Sequence, residues 1–455
     1  MTADPLTSAV DSLLPTPEPG RPAAEKFVDA HLPGLHTPGE FLASPRIRGG
    51  QVAADAALAA FDVTGYASRR NNAYPERERG ASRLSPYIRH GLLSLPDVWD
   101  AVTDGPSTDV RRFHDELLWQ EYARHWYARL GPATGAPLRR DYRDTAKPTV
   151  DASAVWDQDM ACLELTIGEL EEDGWLVNQT RMWLASHWTV RNRLDWRVGE
   201  DYFFRHLLDG SRAANRLGWQ WTSGLGSERA YGFSRWQVEK RAAGLCASCE
   251  LGANCPIDEW PDDPEVSPVA ANPLVAADPD VAARRGPSEP PGPTMPAGQA
   301  GPVGQVGPSE PSEPSEPSVS TGSADDVRLP EFVWLTAESL GDKDPALAAN
   351  PDLPAVFVFD QPLLARLQLS SKRLVFLTET LAELATRRPV ELHLGKPTEV
   401  LAGRPLATTF APVPGWRTRS AKLDVVELHP WPWLRQPIAG TVGSFSGWRK
   451  QLERV

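Results

Sequence analysis

In the stretch DVRRFHDELLWQEYARHWYARL, apolar and aromatic side chains fall at 113, 117, 118, 122 and 126, close to a 3.6-residue period that predicts one long amphipathic helix. TIGELEEDGWLVNQTRMWLASHWTVRNRL repeats that period in two segments and predicts helix–turn–helix, with the break near Asp173 and Gly174. Past residue 325 the texture changes. FVWL and PAVFVFD are short continuous apolar runs of the buried-strand kind. SSKRLVFLTETLAELATRR spaces Leu374, Leu377, Leu381 and Leu384 as the apolar stripe of a helix, and VELHLG reads as a further strand. Strand, strand, helix and strand predict a small α/β layer with parallel strands, without a GxGxxG phosphate loop.

Residues 261–325, with PSEPPGPTMPAGQAGPVGQVGPSEPSEPSEPS, hold no aromatic residue and cannot bury enough surface to offset the entropy of ordering. They predict a disordered Pro-rich linker, and its Ser-Glu-Pro triplets are compositional. The start, MTADPLTSAVDSLLPTPEPG, is acidic and Pro-rich, unlike a signal peptide. The predicted organisation is a disordered N-terminus at 1–24, a helical domain at 25–260, the linker at 261–325 and the α/β domain at 326–455. With 41% hydrophobic and 24% charged residues, and no apolar run of membrane-spanning length, the chain reads as a soluble, cytoplasmic protein with no membrane partner.

A net charge of −13 argues against a general polyanion binder. From Arg181 to Arg241, however, eleven Lys/Arg stand against six Asp/Glu, a local excess that suits a phosphate backbone as well as it suits an ordinary solvated face. Twelve of the 17 tryptophans precede the linker, more than a helical core requires. The chain has four cysteines, Cys162 and then Cys246, Cys249 and Cys255 in GLCASCELGANCPIDEW. In a reducing compartment this clustering points to metal or redox chemistry. Four thiolates suit a cubane iron–sulfur cluster or a tetrahedral zinc ion, and a CxxC disulfide or inert thiols is the remaining reading.

Three segments of the helical half, in order, resemble the flavin-binding domain of the DNA photolyase/cryptochrome family. RERGASRLSPYIRHGLLS, residues 77–94, is similar to the family's TSRLSPYL…G…S turn, which binds the FAD diphosphate. The resemblance assigns Ser82, Arg83, Leu84 and Ser85 to the phosphates, with Ala81 in place of the usual threonine and Tyr66, in GYASRRN, as a further ligand. Hydroxyls and free N–H groups at a helix start favour anions, although the same residues also make an ordinary N-cap. DELLWQEYARH, residues 115–125, resembles ELIWREFYRH, and implies that Glu116 and Trp119 meet flavin and substrate base; Gln120 replaces an arginine. GWLVNQTRMWLASHWTVRNRLDWRVGEDYFFRHLLDGSRAANRLGWQW, residues 174–221, resembles the family's longest motif. It implies that Asn178, Arg181, Asp209 and Asn215 surround the isoalloxazine ring, with an Arg181–Asp209 ion pair beside it. Trp196 and Trp219 match two members of the tryptophan chain that relays electrons to the flavin, and Trp156, Trp175, Trp183 and Trp188 are candidates for the third. Gln179, Ser211 and Arg216 depart from the family pattern. His187, a lone helical histidine, is read as a core residue.

The resemblance implies an all-α FAD domain of photolyase type followed by a Rossmann-like α/β domain. FVWL…DKDPALAANPDLPAVFVFDQPLL is similar to the first βαβ unit of the family's antenna domain, which usually precedes the flavin domain; here the order is reversed, as in a circular permutation. The short domain and the loss of an Arg-Arg-Asp segment argue against an antenna chromophore. The iron–sulfur bacterial branch carries a lone cysteine, a CxxC and a Cys-Pro, and implies a [4Fe–4S] cluster on Cys162, Cys246, Cys249 and Cys255, with zinc as the alternative. The function implied is that of a deoxyribodipyrimidine photolyase-like lyase, passing an electron from photoexcited flavin to pyrimidine photoproducts in DNA, with the target base turned out of the stack. The alternative is a cryptochrome-like photoreceptor or redox flavoprotein without repair activity.

Overall fold

The computed structural model describes residues 12–39, 41–143, 155–156, 159–270, 328–438 and 440–452. The long helix forms as Ser107–Leu130, held by the burial of Phe113, Leu117, Leu118, Tyr122 and Trp126. The helix–turn–helix is the pair Ala161–Glu172 and Asn178–Ser186, and Gly174 breaks it at φ +70, where a side chain would be strained. The second helix runs on into a π-helical turn, His187–Arg191, a bulge of the kind frequent at functional sites. The Arg212–Thr222 helix packs against Ser107–Leu130, Asn178–Ser186 and Trp196–His206, so the segments carrying the candidate residues converge on it.

The strands are β1 (Leu13–Leu14), β2 (Arg140–Tyr142), β3 (Val266–Pro268), β4 (Phe332–Leu335), β5 (Ala355–Asp360), β6 (Val390–Gly395), β7 (Leu406–Thr409) and β8 (Val425–His429). Six of them form one sheet in the order β1-β6-β5-β4-β7-β8, parallel except for β1. The parallel α/β layer is therefore present, with Ser371–Leu384 as the buried crossover between β5 and β6. Two boundaries differ from the expected ones. Residues 12–24 are ordered: Leu13 and Leu14 pair with His393 and Leu392, and the Arg21–His31 helix packs on Ser371–Leu384. The open edge of β6 supplies unpaired backbone groups, and two leucines suffice to cover them. Residues 266–268 likewise pair with 140–142, so the chain stays in register past residue 261. The rest of the predicted linker, 271–325, lies outside the described residues. Among the described residues no helix is long and apolar enough to cross a membrane.

The two halves share one apolar core, which runs from Tyr66, Tyr87 and Trp175 of the helical half to Val333, Phe357, Phe376 and Leu392 of the sheet half. At the carboxyl end of β4, where an open α/β sheet offers its ligand crevice, the turn His90–Leu92 is seated. A Cβ on Gly341 would meet the Gly91 carbonyl oxygen at 2.1 Å, and one on Gly91 would meet the Glu338 oxygen at 2.2 Å. His90 lies between the Ala337 oxygen at 2.6 Å and the Leu208 oxygen at 3.1 Å. Burial, then Arg89 and Arg373, pushes its imidazole down to about 3, and burial, then Lys372, pushes His206 down to about 3. At His90 these effects outweigh the two carbonyls, so the neutral ring is favoured.

Gly341→Ala should cost about 1–3 kcal/mol, because backbone rather than a flexible side chain must move. Calorimetry should show both halves melting earlier together; a shift confined to one transition would mean that they unfold separately. The two histidines make stability fall as pH drops from about 6.5 towards 3, since only the unfolded chain can take up their protons. The loss is about 2 kcal/mol per histidine at pH 5. His206→Gln should flatten the fall in Tm between pH 7 and pH 5, and an unchanged slope would contradict the assignment.

Candidate functional site

The turn at 82–85 is anchored by its own side chains. Arg83 adopts φ +56, and Ser82 Oγ accepts the Leu84 N–H at 3.4 Å. Trp175 Nε1 donates to Ser85 Oγ at 3.0 Å, while the Arg83 guanidinium lies 5.3 Å over the Trp175 ring and pairs with Glu76 at 2.6 Å. Ala81 precedes the turn and packs at the edge of the shared core. Trp175, one of the candidates for an electron relay, thus ties this turn to the start of the Asn178–Ser186 helix. Tyr66 is buried edge-on against Phe113 at 5.0 Å, and burial together with the nearby Glu116 carboxylate pushes its phenol up. Glu116 in turn accepts from Arg70 Nε at 3.2 Å, so Tyr66, Glu116 and Arg70 form one group.

Opposite elements meet at Arg181 and Asp209. Two guanidinium N–H groups of Arg181 reach the carboxylate, at 3.1 and 2.7 Å, and Arg181 also donates to the Leu176 oxygen. The next carbonyl, Gly210, accepts from Arg89 at 2.9 Å and from Arg373 of the sheet half at 3.3 Å. Arg89 pairs with Glu338 at 2.5 Å. Sequence reasoning did not find Arg89, Arg373 or Glu338, because their roles arise from contact between the halves. Ser211 then caps the Arg212–Thr222 helix, accepting from the Ala214 N–H. One turn on, Asn215 is 6% exposed and its Nδ2 has no partner among the described residues. A buried amide without an acceptor calls for one. Asn178, by contrast, is exposed at its helix start.

Of the tryptophans, Trp219 is buried edge-on to Phe203 at 5.0 Å, and it touches Gly199 so closely that a Cβ there would meet the ring at 2.2 Å. Trp196 is buried in the same core, under the Arg197 guanidinium at 5.2 Å. That core also holds Trp183, Trp188 and Trp156. Trp156 lies 5.4 Å from Trp188 and 6.1 Å from Tyr202, whereas Trp175 belongs to the other core. His187 packs among Trp156 and Phe233 as a core residue. Trp119 stands apart from these groups: its ring neighbours are Phe445 at 4.0 Å and Tyr122 at 5.9 Å.

All four cysteines are free and line one pocket, together with Met160, Val238 and Arg235. Arg235 Nη1 holds the loop by donating to the Gly252 oxygen at 2.8 Å, and Gly244 opens the turn at φ +83. Burial, then the three neighbouring thiols, pushes Cys162 up to about 12. Among the described residues no group of three His, Cys, Asp or Glu is gathered closely enough to hold a single metal ion.

The helical half thus holds a bidentate Arg181–Asp209 ion pair, a buried Asn215 amide without an acceptor among the described residues, and a hydroxyl-bearing turn at 82–85. Residues 113–242 match the FAD binding domain of DNA photolyase. The chain is 33% identical over 233 residues to a deoxyribodipyrimidine photo-lyase of Thermus thermophilus, covering 49% of this chain and 52% of that one. It is 30% identical over 194 residues to one of Synechococcus sp., covering 39% and 40%. A class III photolyase structure from Agrobacterium tumefaciens aligns over 49% of this chain and 46% of its own at 24% identity and a TM-score of 0.34. The helical half is thus similar to the FAD-binding domain of DNA photolyases. It spans about half or less of the length of the relatives it matches.

Asp209→Ala leaves the Arg181 guanidinium without its carboxylate. It should lower the flavin bound per purified chain by about ten-fold or more, as removing one partner of a buried pair costs several kcal/mol. Flavin released on denaturation is the measurement, and full occupancy in the variant would exclude the site.

Proposed function

We propose that this chain is a photolyase-like flavoprotein that uses blue light to transfer an electron to pyrimidine photoproducts in DNA. The observation that carries the reading is the buried Asn215 amide, lacking an acceptor, beside the bidentate Arg181–Asp209 pair. FAD, when bound, supplies a light-excitable one-electron donor. Ser82 and Ser85 hydroxyls and the N–H groups of the 82–85 turn hold its diphosphate, with the Tyr66 hydroxyl beside them. Asn215 faces the ring, and the Arg181–Asp209 pair sets the field next to it. Trp119 and Asn178 face the target base, and Trp196 and Trp219 carry electrons through the core. The arginines between 181 and 241 meet the DNA backbone.

The four thiols are read as ligands of a [4Fe–4S] cluster. At a Zn–S distance of about 2.3 Å, four sulfurs on one zinc ion crowd within about 4 Å of each other. Thiols spread around a shared cavity suit a cluster with several metal atoms better. No antenna pigment is invoked, because the turn His90–Leu92 occupies the carboxyl end of β4.

Purified protein should show flavin bands near about 370 and 450 nm, about four iron atoms per chain, and restored bases when a thymine-dimer oligonucleotide is illuminated with reduced protein. Bound, photoreducible FAD without repair would replace this reading by a photoreceptor. One zinc and no iron would replace the cluster.

A further inference from the structure

The closing helix, Phe445–Leu452, belongs to the sheet half of the chain but lies on the Ser107–Leu130 helix of the flavin half. Phe445 stacks on Trp119 with ring centroids 4.0 Å apart and planes 14° from parallel. We propose that Phe445 is a positioning residue for Trp119: it backs one face of the indole so that the other is presented to a base. The inference rests on the reading of Trp119 as the base-facing residue.

An aromatic stacked this way can brace its neighbour or can occupy the place of a substrate. The anchoring of the helix decides between the two. Tyr122 donates its hydroxyl proton to the Val442 oxygen at 2.7 Å, and Arg129 Nη2 donates to the Ile438 oxygen at 2.8 Å. The Arg435 N–H donates to the buried Glu121 carboxylate at 2.9 Å, and Arg449 pairs with Asp115 at 2.6 Å. Trp448 and Val442 are each 1% exposed, and Trp448 packs on Tyr122 at 5.5 Å and His125 at 5.3 Å. Departure of the helix would expose Trp448 and break the Arg449–Asp115 pair, and the segment leading into it is itself tied down at Arg435, Ile438 and Val442, so it is a fixed wall rather than a plug. Trp119 itself keeps partial exposure. Its second contact, Tyr122, meets it nearly at right angles, at 78°, and also touches Phe445, so the three rings lock one another. A base stacking on a held indole does not have to order it first, which is how preorganisation raises affinity.

The test is binding of a thymine-dimer oligonucleotide and of its undamaged twin to the full, flavin-loaded chain. Phe445→Ala should weaken dimer binding by about three- to ten-fold while leaving undamaged binding, flavin content and iron content unchanged. Phe445→Leu keeps apolar volume without the stack and should show the same loss in a well-folded protein; Phe445→Tyr should restore it. Tighter dimer binding by Phe445→Ala would make the residue a plug. Equal weakening for both oligonucleotides, or no change, would remove its positioning role. A wild-type chain that fails to prefer the dimer would overturn the base-facing reading of Trp119, and this inference with it.

Discussion

Two guanidinium groups, one from each half of the chain, converge on the carbonyl of Gly210. Burying cations in this way is costly unless each finds acceptors. Arg89 has the Glu338 carboxylate, and Arg373 has the carbonyls of Gly210 and Phe204. Burial, then Arg89, lowers Arg373 to about 9, and its Nε has no partner among the described residues. Gly210 admits this approach because it has no side chain: a Cβ would stand 3.0 Å from Arg373 and 2.9 Å from the Leu207 oxygen. The carbonyl lies between Asp209, which faces Arg181, and Ser211, which caps the helix of Asn215 and Trp219. Holding it fixes the direction of three candidate flavin residues.

The sheet half is therefore part of the candidate site's support. It shares a core with the helical half, supplies Arg373 to the Asp209–Ser211 turn and closes over Trp119 with Phe445. The turn of His90 and Gly91 packs on the loop that follows β4. The departures from the family motif also have local employment. Gln179 donates to the Tyr231 hydroxyl, Ser211 caps a helix, and Arg216 lies against Glu200 and Thr134. Each satisfies a structural need of its own, so none of them decides between repair and signalling.

Long periodic segments were legible because burial of one face is written into spacing. Ser107–Leu130 and Ser371–Leu384 appeared where their apolar residues recur, and the continuous apolar runs became the central strands. The edge strand at Leu13 and Leu14 was not legible, since two residues carry no period, and what recruits them is the unpaired edge of β6. Neither were the last strands β7 and β8, short pieces ordered by the sheet they extend. Arg181 and Asp209 could be paired from the motif; that Asn215 would be left with an unsatisfied amide needed the packed helices around it.

Local rules, then, settled which segments are helix and strand, where Gly174 interrupts them, and which thiols, carboxylates and indoles are available for chemistry. Sequence spacing carries that information because each of these properties depends on near neighbours in the chain. Contact between distant segments settled the rest: that Cys162 lines the same pocket as Cys246, Cys249 and Cys255, that Arg373 reaches the Asp209–Ser211 turn, and that Phe445 lies on Trp119. Such meetings depend on how two halves bury a common core, a property of the folded whole that no local pattern encodes.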